Sequence, residues 1–170
     1  MSKLIVPLLA VATVLALVTV AAACGGDEEL TLEEYFQKMQ AISAEAVQET
    51  NTLDEKFDAL EENDFSGLQE LFVGNAALIA DSFGDMGDLD PPVEVEDAHT
   101  EFVEAGEHMA GLMKTFSDDL ADVDSTSELD EAFGRVVGLE AASARIDTAC
   151  AVLEMIAVEN SIQVDLDCDY

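Results

Sequence analysis

Apolar and polar positions alternate along this chain with the period of a helix. From Leu32 the apolar or small residues Leu32, Phe36, Met39, Ser43, Ala46, Thr50, Leu53, Phe57 and Leu60 step by four and three. That spacing keeps one face of a helix turned to a core for about four heptads, with acids on the other faces. Thr31-Leu-Glu-Glu34 opens the run as a capping box, in which hydroxyl and carboxylate each satisfy a free backbone N–H. Asn63-Asp64 closes it. Ser66 and Gln69 have the same spacing and predict the start of a second helix. Leu68, Leu71, Phe72, Leu78, Ile79, Phe83 and Met86 form its apolar face.

Gly84 to Pro92 is a break, because glycine and paired prolines do not continue a helix. A third helix is expected to begin near 93–96 and to carry Phe102, Met109, Leu112, Met113, Phe116 and Leu120 inward. Asp122 to Ser127 is a polar turn, with Ser125 and Glu128 spaced as another capping box. A fourth helix is then predicted from about Ser127 to Glu159, presenting Leu129, Phe133, Val136, Val137, Ile146, Leu153 and Ile156. Asn160 suits a left-handed C-cap. Gly134 and Gly138, with Ala141 and Ala142, would let this helix approach another closely, near Gly106 and Ala110. No strand-like alternation is visible. The expected fold is therefore all-α, an antiparallel up-down four-helix bundle.

Residues 1–23 do not fit that bundle. Lys3 is a short positive end, Leu4 to Val20 an apolar stretch, and Ala21-Ala22-Ala23 leads into Cys24-Gly25-Gly26. These are the three parts of a secretory signal. Small residues before a cysteine resemble the bacterial lipobox, with Ala21 where leucine is commoner. The resemblance implies cleavage after Ala23 and lipidation of Cys24. An ordinary signal peptide and an uncleaved anchor are the competing readings, and the abrupt change to Gly-Gly-Asp-Glu-Glu favours lipidation. The expected organisation is a signal peptide over 1–23, a lipidated tether over 24–30 and an acidic bundle over 31–170. The chain would then sit outside the cytoplasm, lipid-anchored to a bacterial membrane.

Charge narrows the partners. The chain has 38 acids against 6 lysines and arginines, a net charge of −32. Cleavage removes Lys3 and leaves only Lys38, Lys56, Lys114, Arg135 and Arg145. Nucleic acid is excluded, since its binding needs Lys and Arg on phosphates, and anionic lipid and phosphorylated substrates are disfavoured in the same way. A solvated acidic surface, a saline habitat and cation binding each account for such a charge. There is no Trp and only Tyr35 and Tyr170, so sugar and choline sites lack their aromatic platforms.

Once Cys24 is assigned to lipid, Cys150 and Cys168 remain as an even pair in an oxidising compartment. From Cys150 to Asn160 a helix climbs about 15 Å. Eight further residues can return up to about 26 Å. A disulfide is therefore feasible, and it would fold Ile162, Val164 and Leu166 back onto the last helix. A redox or metal-binding pair would want closer spacing and a nearby base.

Catalytic and metal motifs are incomplete. Glu96-Asp-Ala-His99 matches half of a di-iron motif, but no other expected helix carries a histidine. His108, Met109 and Met113 could offer imidazole and thioether to copper, although methionines at helical spacing more often fill cores. Asp122-Val-Asp124 opens like a calcium-binding EF-hand loop, yet Ser127 and Phe133 stand where its Gly and closing Glu belong. Asp85, Asp88 and Asp90, like Asp165, Asp167 and Asp169, read as solvated loops. No nucleophile elbow or phosphate-cradling Gly-Lys loop is present. The sequence predicts no catalytic residue, no cofactor and no metal site. A non-enzymatic module binding a protein or envelope component is expected, with extracytoplasmic calcium or copper binding as the alternative.

Overall fold

The computed structural model describes residues 30–166 and 168. The expected signal peptide and tether, including Cys24, lie outside this range. Five helices make up the described chain: α1 (Leu32–Asp58), α2 (Phe65–Gly87), α3 (Glu96–Asp119), α4 (Thr126–Arg135) and α5 (Leu139–Glu159), with no strand among the described residues. The fold is a helical bundle in which α2 packs against α3, α3 against α5, and α1 against α2. Among the described residues no helix is long and apolar enough to cross a membrane.

The caps show how local sequence sets the helix ends. Thr31 accepts from the backbone N–H of Glu34, whose side chain accepts from the Thr31 N–H, completing the capping box of α1. Ser125 accepts from the Glu128 N–H to open α4. At α2 the cap is Asp64, which accepts from the Gly67 N–H at 2.9 Å, in place of the expected Ser66. Asp64 prevails because its carboxylate already precedes the first helical residue and accepts as an anion.

The expected fourth helix is two helices. Val136 is extended, with ψ at 108°, and Gly138 takes φ at +101°, a conformation open to glycine without penalty. The chain turns there, so Phe133 and Val137 stay 49% and 78% exposed instead of facing a core. Gly134 meets nothing within 4 Å, and a Cβ at Gly138 would have only Leu112 as neighbour. Neither is a helix-packing glycine. The close approach occurs at Gly106, against which the Phe83 ring of α2 lies so tightly that a Cβ would overlap it.

The C-cap differs as well. Asn160 sits at φ −93° and Ser161 takes the left-handed position, φ 60°. The Ile162 N–H then donates to the Ala157 carbonyl and the Ser161 N–H to that of Val158, a Schellman arrangement one residue later than expected. It sends the chain back along α5, with Ile162 and Val164 against the core and Leu166 buried. The sulfurs of Cys150 and Cys168 lie at disulfide distance, 1.98 Å, with Cα atoms 5.6 Å apart. In the chain-entropy account such a loop contributes about 3 kcal/mol.

The core is divided. One cluster gathers Tyr35, Phe36, Met39, Met86, Val95, Phe102, Leu153, Ala157 and Leu166; the other gathers Phe116, Leu120 and Ala132, with Phe72 and Leu129 against them.

Candidate functional site

The buried stretch of α1 ends early. Tyr35, Phe36 and Met39 are fully buried, whereas Ser43 and Ala46 are half-buried, Thr50 is exposed and Phe57 is 58% exposed. The expected apolar stripe continues in sequence, but its middle positions carry short side chains. These do not span the space between α1 and α5. A cleft of about 530 Å³ results, walled by Ser43, Ala46, Val47 and Thr50 of α1 and by Leu78, Ile79, Phe83 and Met86 of α2. Phe102 and Met109 of α3, Ile146 and Asp147 of α5, and the Cys150–Cys168 pair with Leu166 complete it. Its size falls within the range of about 300–1,000 Å³ typical of small-molecule sites.

The lining is mainly apolar and includes the hydroxyl and amide residues Asn51, Asn75, Ser82 and Ser143. Among the described residues Asp147 is the only acid in the lining, and no lysine, arginine or histidine accompanies it. Among the described residues, both lining cysteines are tied together and no base stands beside a lining hydroxyl to activate it.

A second polar feature lies within the first core cluster. Tyr35 of α1 and His99 of α3 share a hydrogen bond, 3.0 Å between Oη and Nδ1, with their rings edge to face. Burial pushes the Tyr35 phenol up and the His99 imidazole down, so both are neutral at pH 7. The Glu-x-x-His spacing thus serves a core hydrogen bond that joins α1 to α3.

The remaining sequence candidates do not converge. His108 is exposed, Met109 lines the cleft and Met113 is half-buried. The Glu128 carboxylate accepts from the Asp124 N–H and the Ser125 hydroxyl. The expected calcium-like turn is therefore a helix cap, in which the neighbouring Glu128 holds the Asp124 carboxyl above its ordinary range. Asp85, Asp88 and Asp90 are exposed; Asp167 and Asp169 lie outside the described residues. Among the described residues, no three His, Cys, Asp or Glu side chains are grouped so as to hold a metal ion.

The cleft was not foreseen from the sequence. The available signal was the run Ser43, Ala46, Thr50 within a stripe otherwise built of Phe, Met and Leu. Small residues in a core-facing stripe mark either close helix approach or open space, and only the neighbouring helix decides which.

Fold and cleft together define a helical bundle with an open, apolar interhelical site. No protein-family description matches this chain, and neither does any curated protein sequence or any solved structure.

Proposed function

We propose that the protein is an exported, lipid-anchored binding module that holds a small apolar molecule in the cleft between α1, α2, α3 and α5, without catalysing its conversion. The observation that carries this reading is the cleft itself: about 530 Å³ of apolar interior left open where short residues on α1 face Ile146 and Phe83. A monomeric domain gains by filling such space, since buried apolar surface contributes about 25 cal/mol per Å². The open apolar cleft therefore supports a ligand-binding reading. The Ala-Ala-Ala-Cys24 segment supports export and anchoring at a bacterial membrane. In this reading α4 and α5 are the two parts of a broken fourth rod in an antiparallel four-rod bundle.

The test uses the full chain and a neutral apolar dye, N-phenylnaphthylamine, whose emission rises in apolar surroundings. Saturable binding that Ala46→Trp abolishes, with helicity retained, is the expected result. Absent binding, or binding indifferent to Ala46→Trp, refutes the cleft as a site. For the anchor, Cys24→Ser should move the chain from the membrane fraction to the soluble one.

A protein partner is the second reading. Phe133 and Val137 favour it, exposed at the α4–α5 corner beside Phe72 and Phe116. Calcium or copper binding has less support, because the sequence candidates for it do not converge.

A further inference from the structure

We infer that the cleft selects a cationic amphiphile, a molecule with an apolar body and a single ammonium-type positive charge. This rests on the cleft being a ligand site and goes on to say what kind of ligand it takes. Asp147 is half-buried on α5 among the apolar lining, near Ile146 and Cys150. It makes no hydrogen bond or ion pair among the described residues. A half-exposed carboxylate without a partner is open to pair with a ligand cation at that point, an ion pair of the partly solvated kind.

The rest of the molecule points the same way. Among the described residues no base lines the cleft, and the chain as a whole carries a net charge of −32. An anionic ligand would meet repulsion on approach and at the wall, whereas a cation would be drawn toward both. The nearby hydroxyls and amides, such as Ser143 and Asn75, can accept from an ammonium that still carries protons. The apolar depth at Phe83, Met86 and Phe102 takes the hydrocarbon. The bases paired on the outer surface, Arg145 with Glu101 and Lys114 with Asp118, leave the cleft acidic.

The experiment compares three probes of equal chain length on the full chain by calorimetry, each below its micelle concentration. They are dodecylammonium, dodecanol and dodecyl sulfate. The ammonium should bind most tightly, with one saturable site. Asp147→Asn should weaken it about two- to fivefold, the scale of a single half-exposed ion pair, while leaving dodecanol binding unchanged. Ala46→Trp should remove the site for both, which separates it from adsorption on the acidic outer surface. Ser143→Phe blocks the opposite wall and serves if Ala46→Trp loses its helicity. Equal affinity for ammonium and alcohol, with no effect of Asp147→Asn, overturns the cation preference and leaves the apolar site standing. Ammonium binding that survives both blocking variants also overturns it. Failure of all three probes to bind overturns the cleft as a site and the inference with it.

Discussion

At the scale of single residues, the Tyr35–His99 pair is the least expected feature of an otherwise apolar cluster. Burial lowers the imidazole's affinity for a proton relative to the unfolded chain. Where the unfolded state binds more protons than the native one, stability rises with pH. The contribution of a neutral His99 is therefore complete above about pH 6.5, the ordinary histidine value, and is lost as pH falls through the lowered native value. Melts of the full chain between about pH 7 and 5 should show a decline that His99→Phe flattens. A wild-type decline of undiminished slope in His99→Phe would assign it to other groups. The sequence made His99 visible only as half of a metal motif. Its partner is 64 positions away, and pairing across that distance has no local signature.

At the scale of helices, most ends were legible and most faces only in part. Capping boxes at Thr31 and Ser125 depend on three-residue spacing, which a sequence displays directly. The break before α5 was not legible in that way, because Gly134 and Gly138 look alike in a helical pattern and only one takes positive φ. The same limit applies at Gly106. Its neighbour proved to be Phe83 of α2, a contact that depends on how two helices meet. Placing a methyl group there forces the ring or the helix to move, a cost of about 1–3 kcal/mol for overpacking. Gly106→Ala should accordingly lower the denaturation midpoint, although alanine is the better helix former by about 1 kcal/mol. Unchanged or higher stability in urea would mean that Phe83 yields freely into the adjacent cleft.

At the scale of the whole molecule, charge dominates. All the ion pairs seen among the described residues involve α3, at Glu101, Lys114 with Asp118, and Asp119, and all are exposed. Exposed pairs contribute about 0–1 kcal/mol each, too little to offset repulsion among so many acids. Screening shortens that repulsion to about 10 Å at 0.1 M salt. The melting temperature should therefore rise with ionic strength, similarly for sodium and potassium chloride, before levelling. A fall with added salt would show that the few attractive pairs outweigh the many repulsive ones. Composition disclosed this balance fully, since it depends on counts. It could not disclose the cleft, which depends on which short side chains happen to face one another.

The division of the core into two clusters bears on how the molecule moves. The first turns of α1 are held by Tyr35, Phe36 and Met39, while the stretch beyond Ser43 borders open space and leans mainly on α2. Local opening draws on regions with few buried contacts, and the outer half of α1 is such a region. If the cleft holds a guest as proposed, local opening of this half of α1 would let the guest exchange without global unfolding.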